Sequence, residues 1–242
     1  MSKVEGLLNL QKAGFRVPKF LVCNGTLDDK IIDQLDNSKT YAIRSSANVE
    51  DGSQNSFAGL FETYLNVSRD CINDCINRCI EAGKKNQIKK YMEEQRIVSS
   101  VEMQVVVQEM IPSEVSGVCF SKNPISGDGN VIECVWGIGE GLVSGKYAPD
   151  YIECDSQGEI IRYKVAFQSS QIALNKNSGL IETDVPLLMQ SSKKLDSAFV
   201  KEITISAKSI ERVFGYPIDI EWCIRKGFVY YLQMRPITGL GN

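Results

Sequence analysis

The residues best suited to chemistry lie near the C-terminal end. Ile218, Ile220, Trp222 and Ile224 alternate with Asp219, Glu221 and Cys223. Beyond Arg225-Lys226-Gly227, Phe228, Tyr230, Leu232 and Met234 alternate with Val229, Tyr231, Gln233 and Arg235. Period-two alternation marks strands with two unlike faces. A three-residue turn closed by Gly227 pairs Ile224 with Phe228. That register sets Asp219 opposite Gln233 and Glu221 opposite Tyr231, and gathers Glu221, Gln233 and Arg235 on one face. A carboxylate and a carboxamide oxygen are hard ligands of the kind magnesium takes. A guanidinium binds phosphate oxygens in a fork. The same pattern also describes a solvent-facing polar strand carrying a cross-strand ion pair.

A second group lies in the first quarter of the chain. Arg44-Ser45-Ser46 leaves a strand, and Glu50-Asp51-Gly52 and Ser56-Phe57-Ala58-Gly59 follow. Small residues allow successive backbone N–H groups to converge on phosphate oxygens. Arg44 can neutralise charge that grows during transfer. The alternative is an ordinary surface loop. The cluster Gly137-Ile138-Gly139-Glu140-Gly141 departs from GxGxxG spacing at its last glycine, and no clean βαβ unit surrounds it. A GxxxxGK[ST] loop is missing as well, so a nucleotide site here is of another type. The sequence contains no histidine, which excludes imidazole acid–base chemistry, a Ser-His-Asp triad and a phosphohistidine relay within this chain.

The elements that must position these groups read as a mixture. Helices are expected over Lys3–Ala13 (with Gly14 as C-cap), Leu27–Leu35, Asp70–Ala82, Gln87–Met92 and within Val185–Phe214. Strands are expected at Phe20–Cys23, Tyr41–Arg44, Glu62–Val67, Glu102–Met110, Gly117–Ser121, Asn130–Trp136, Asp150–Cys154 and Glu159–Phe167, before the closing hairpin. Ala47–Gly59 and Gly137–Gly145 read as functional loops. The class is α+β, with a first lobe over residues 1–100 and a second over 101–242. Length and an ordinary apolar content give both a core. With 27 basic and 30 acidic residues, the net charge of -3 points to neither nucleic acid nor a membrane surface. The N-terminal stretch lacks the apolar core of a secretory signal, so a cytoplasmic protein with reduced thiols is expected. Cys71, Cys75 and Cys79 recur every four residues on one helical face. One straight helix rarely completes a tetrahedral metal site, so packing is the expected role.

Taken together, these blocks resemble the N-terminal ATP-binding domain of the phosphoenolpyruvate synthase and pyruvate phosphate dikinase family, also found in rifampicin phosphotransferase and glutamine kinase. The blocks are Lys3 with Ala13-Gly14-Phe15-Arg16-Val17-Pro18, Ile43-Arg44-Ser45-Ser46-Ala47 with Glu50-Asp51, and Ser56-Phe57-Ala58-Gly59 with Glu62-Thr63-Tyr64-Leu65-Asn66-Val67. Val107-Gln108-Glu109-Met110, Ser116-Gly117-Val118-Cys119-Phe120 and Trp136-Gly137-Ile138-Gly139-Glu140 follow. Asp219-Ile220-Glu221-Trp222 and Leu232-Gln233-Met234-Arg235-Pro236 complete the series. Where the family usually has two glycines before its lysine, Met1-Ser2 stand here. The segment from Cys23 to Tyr41 is also short.

The resemblance implies an ATP-grasp fold, with the nucleotide in a cleft between two lobes. It implies that Lys3 and Arg44 contact phosphates, that the backbone of Ser56, Phe57, Ala58 and Gly59 covers them, and that Gln108, Glu109, Met110 and Ile111 bind the adenine edge. Glu221 and Gln233 would hold magnesium, and Arg235 would contact the transferred phosphate. Lys3, Arg44 and Arg235 would then be the catalytic groups and Mg-ATP the cofactor. A phosphoryl or pyrophosphoryl group would pass to a histidine on a separate domain, in the same longer protein or another chain, and from there to a small molecule bound by a substrate domain. Two other readings stay open. One is a stand-alone kinase acting directly on an amide, carboxylate or antibiotic hydroxyl, and the other is a non-catalytic ATP-binding module.

Overall fold

A computed structural model of the chain describes residues 1–47, 51–52, 55–56, 62–83 and 103–237. The chain forms two compact units, and each is discontinuous in sequence. The first comprises Met1–Gly6, Pro18–Met110 and Asn175–Leu180; the second comprises Leu7–Val17, Ile111–Leu174 and Ile181–Asn242. The expected helix at Gln87–Met92 lies outside the described residues.

In the first unit, α1 (Lys3–Lys12) begins the chain, followed by β1 (Phe20–Cys23), α2 (Asp29–Asp33) and β2 (Tyr41–Ala47). The short pair β3 (Asp51–Gly52) and β4 (Asn55–Ser56) comes next, then β5 (Thr63–Val67), α3 (Ile72–Gly83) and β6 (Met103–Glu109). The main sheet is antiparallel, in the order β1-β6-β2-β5. α2 is shorter than its apolar spacing suggested, because the Asp28 carboxylate caps it at Lys30 N (2.8 Å) and fixes its start late.

α3 carries Ile72, Cys75, Ile76 and Cys79 at helical spacing, and these pack on Ile43, Val105 and Val107. The three cysteines therefore part company. Cys75 and Cys79 are core residues, and burial raises both thiols, Cys79 to about 12. Cys71 is exposed in the turn before the helix. Among the described residues no group of acidic, thiol or imidazole side chains is placed to hold a metal ion.

Asn66, at φ 58°, sits at the bulge that shifts the β2–β5 register. Its Nδ2 donates to the carbonyls of Asn175 and Gly179 at 2.7 and 2.6 Å. Those bonds fasten residues 175–180 to the first unit.

The second unit contains β7 (Val115–Phe120), β8 (Asn130–Trp136), α4 (Glu140–Val143), β9 (Asp150–Cys154) and β10 (Ile160–Lys164). The pair β11 (Ser170–Leu174) and β12 (Leu180–Asp184) follows, then α5 (Ser197–Phe214), β13 (Ile218–Arg225) and β14 (Phe228–Pro236). The sheet order is β10-β9-β8-β7-β13-β14, antiparallel throughout. β11 and β12 were not anticipated from sequence; β12 is largely exposed and lacks an apolar face. The expected loop at Gly137–Gly145 contains the single turn α4.

α5 presents Val200, Ile203, Thr204, Ala207 and Ile210 to one face of this sheet. It is capped by Asp196, which accepts from Phe199 N at 2.9 Å, and ends at Gly215 with φ 78°. The register lines up Met234, Ile220, Cys119, Ile132 and Ile152 across the sheet, all buried. Each buried isoleucine contributes about 1.5–3 kcal/mol by leaving water. Trp222 lies against Gly117, where a Cβ would come within 2.5 Å of the indole and 2.3 Å of the Glu133 carbonyl. Only glycine fits there.

A polar knot ties the segment before α5 to the sheet. Lys194 Nζ donates to Asp150 Oδ1 (2.6 Å) and to the Ala166 carbonyl (3.0 Å). Asp150 also accepts from Tyr163 Oη and Ala166 N, at 2.8 and 2.9 Å. Both charged side chains are wholly buried, so this bonding is what allows the pair to leave water.

Candidate functional site

The closing hairpin differs from its sequence-based register in an informative way. Arg225 pairs with Phe228 across a two-residue turn, Lys226-Gly227, whose φ angles are 51° and 76°. Positive φ at both turn positions matches the right-handed twist of the flanking strands. The expected three-residue turn is therefore corrected. From this start Trp222 faces Tyr231, and a bulge then intervenes. Leu232 is the extra residue, and beyond it Glu221 faces Gln233 and Asp219 faces Arg235. The two corrections reinforce each other: the bulge brings the carboxylate directly opposite the carboxamide, where the expected register left them diagonal.

Directly opposed residues lie about 4.5–5.5 Å apart at Cβ. Glu221 and Gln233 can thus share a ligand. Asp219, buried to 7% exposure, receives Arg235 Nε on both carboxylate oxygens, at 3.0 and 2.8 Å. The four side chains share the face opposite α5, because Ile218, Ile220 and Trp222 alternate with Asp219 and Glu221.

The same row continues through Val118 to Glu133 on β8 and Tyr151 on β9. Glu133 is half-buried, and burial pushes its carboxyl above the ordinary value. Tyr151 Oη donates to Glu153 Oε1 at 3.0 Å. Sequence reading gave Asp219 and Glu133 no role. The available signal was a single acid in an otherwise apolar run, Val131-Ile132-Glu133-Cys134-Val135-Trp136.

The first unit gathers a separate set. The register pairs Ala42 with Gln108, Arg44 with Val106, and Ser46 with Gln104. Ala42, Arg44 and Ser46 therefore face away from α3, since Ile43 and Val107 pack on that helix. Gln108, 4% exposed, shares the Arg44 face. α1 starts there too. Ser2 Oγ accepts from Glu5 N (3.2 Å) and Glu5 Oε2 accepts from Ser2 N (2.8 Å), a reciprocal capping box. Val4 N donates to Ser46 Oγ at 3.3 Å. Lys3 is thus held at the first helical position beside the strand that carries Arg44.

In the segment that joins the units, Glu109 N donates to Lys19 O and Met110 N to Thr40 O, both at 2.8 Å. Glu109 also holds Lys39 Nζ at 2.7 Å. Ile111 begins the second unit's share of this stretch. Of the expected phosphate-covering loop, Ser56 is described as backbone in β4, paired with Asp51. Phe57, Ala58 and Gly59 lie outside the described residues. Beside the glycine cluster, Ser116 Oγ and Ser113 Oγ donate to Gly137 O at 2.7 and 3.1 Å. No helix among the described residues is long and apolar enough to cross a membrane.

The donor set on the hairpin fits magnesium. Carboxylate and amide oxygens are hard ligands, and magnesium takes few protein contacts when phosphates complete its shell. Glu221 and Gln233 are the residues that would hold it.

Comparison with known proteins adds the remaining facts. Residues 26–242 match the family model described as "Pyruvate phosphate dikinase, AMP/ATP-binding domain". A probable phosphoenolpyruvate synthase of Methanocaldococcus jannaschii is 36% identical over 207 residues, covering 83% of this chain and 17% of that protein. A rifampicin phosphotransferase of Bacillus subtilis is 33% identical over 213 residues, covering 86% of this chain and 24% of that protein. The chain therefore spans less than a third of either relative. Among solved structures, a dinucleotide forming acetyl-coenzyme A synthetase of Ca. Korarchaeum cryptofilum superposes with a TM-score of 0.51 at 11% identity, covering 98% of this chain and 93% of that one.

Proposed function

This chain belongs to the pyruvate phosphate dikinase AMP/ATP-binding domain family and has the ATP-grasp fold, and on that premise we propose that it binds Mg-ATP and transfers a phosphoryl or pyrophosphoryl group to a histidine on a separate domain. The observation that carries this reading is the cross-strand pairing of Glu221 with Gln233, one pleat from the Asp219–Arg235 pair. An acid and an amide placed to share a cation, beside an aimed guanidinium, suit a metal-bound polyphosphate better than a simple solvent-facing strand.

The roles are those that the family resemblance implies. Lys3 and Arg44 bind phosphate oxygens, and the Ser56–Gly59 backbone covers them. Gln108 and the stretch to Ile111 read the adenine edge. Glu109 N and Met110 N already serve the sheet, so that reading falls on carbonyl groups and on Ile111. Arg235, held by Asp219, contacts oxygens of the phosphate that transfers and stabilises the charge that develops on them. Glu221 and Gln233 would hold magnesium, which would supply positive charge to offset that of the phosphates. Little covalent work falls to the protein, and positioning with electrostatics carries the rate.

The acceptor must come from outside this chain, which has no histidine. A separate domain, within a longer protein or on another chain, would supply it and pass the group to a small molecule. Incubation with ATP labelled at the β- or γ-phosphate and a candidate histidine domain tests the proposal. Acid-labile label on histidine, with AMP or ADP as co-product, is the expected result. Substrate-dependent ADP formation by this chain alone, with no histidine labelled, would overturn it.

A further inference from the structure

Ser45 and Ser46 follow Arg44 directly, and both are 1% exposed. Serines beside a phosphate-binding arginine invite the reading that their hydroxyls bind phosphate. Each also has a partner within the protein. Ser45 Oγ donates to the Glu62 carbonyl at 2.9 Å, and Ser45 N donates to the same oxygen at 3.2 Å. Ser46 Oγ accepts from Val4 N at 3.3 Å. The two hydroxyls point to opposite sides of β2, since successive side chains alternate.

We infer that Ser46 is a positioning residue that anchors a phosphate-binding element, the start of α1, to β2. Ser46 fixes the first turn of α1, and with it Lys3. The inference rests on the proposal that Lys3 binds ATP phosphates.

The bonding of the α1 N-terminus supports this role. The first N–H groups of a helix lack partners inside it. Here Glu5 N is taken by Ser2 Oγ and Val4 N by Ser46 Oγ. The helix start thus has two of its N–H groups satisfied by the protein itself. Its contribution to an anion falls on the Lys3 side chain, whose root Ser46 holds in place. An alanine at 46 would leave Val4 N without this partner and loosen the turn that carries Lys3.

A double-mutant cycle on the full chain tests this, with Mg-ATP and AMP affinities measured by calorimetry for Ser46→Ala, Lys3→Ala and the double variant. Loss of one neutral hydrogen bond should weaken Mg-ATP by about three- to tenfold. The AMP affinity should hold, because AMP lacks the outer phosphates. In the Lys3→Ala background the serine effect should vanish, as expected for a residue that acts through the lysine. Ser46→Thr, which keeps an acceptor oxygen, should restore much of the affinity and serves if the alanine variant does not fold. A serine effect undiminished without Lys3, or equal losses of ATP and AMP, would overturn the inference. If Lys3→Ala alone leaves Mg-ATP affinity unchanged, the reading of Lys3 fails first, and this inference falls with it.

Discussion

Asp219→Ala removes both oxygens that receive Arg235 Nε. A hydrogen bond between charged partners contributes about 1.5–3 kcal/mol. The arginine side chain is 48% exposed and that of the aspartate 10%, so solvent screens the pair and about 1 kcal/mol is the better figure. In a chain of this size that is a fall of about 2–4 °C in Tm. The functional effect should differ in kind. Arg235 would keep its charge but lose its aim at the transferring phosphate. Mg-ATP affinity should fall about fivefold, the equivalent of that energy, while AMP affinity stays put. The rate of phosphoryl transfer should fall further, by about a hundredfold for a misplacement near 1 Å. Asp219→Asn keeps one acceptor oxygen and should fall between. Calorimetry with both nucleotides, on Asp219→Ala, Arg235→Ala and the pair, decides the matter. Equal weakening of ATP and AMP, or full additivity of the two substitutions, would refute the view that Asp219 acts by orienting Arg235.

Two further expectations concern the second unit. Burial raises the Glu133 carboxyl above its ordinary value, so the folded state binds its proton more tightly than the unfolded chain does. Its contribution to stability is then lost as pH rises from the ordinary carboxylate range through the raised value. Glu133→Gln should raise Tm at pH 8 and not at pH 4; the reverse dependence would contradict the burial argument. Lys194→Met would leave Asp150 charged and buried, at a cost of about 3–5 kcal/mol. Both tryptophans, Trp136 and Trp222, lie in the second unit, so their fluorescence in a urea titration reads that loss directly. An unchanged midpoint would show the polar knot to be dispensable.

How much of this was legible in sequence depended on whether local chemistry or tertiary context decided the outcome. α3 and α5 followed from apolar spacing, because each buries one stripe against a sheet. The alternation of β13 and β14 was equally plain. Their register was not, since it turns on a two-residue turn with Lys226 at positive φ and on a bulge at Leu232. Lysine gives no hint of that conformation, and a bulge has no compositional mark. Glu221 and Gln233 were singled out as candidates from their types, yet their direct opposition appears only with the bulge. Asp219 and Glu133 escaped notice for the opposite reason. A carboxylate on a strand has many uses, and only the partner across the sheet distinguishes them. β11 and β12 lack an alternating pattern, because β12 buries little.

The account stands on Glu221 and Gln233 holding the metal of a bound nucleotide. Titration of ATP into the wild-type chain and into Glu221→Ala, with and without magnesium, tests that most directly. The wild type should bind ATP much more tightly with magnesium than without, and Glu221→Ala should lose most of that magnesium-dependent gain while its metal-free affinity changes little. A gain of equal size in the wild type and the variant would place the metal elsewhere and contradict the proposed site.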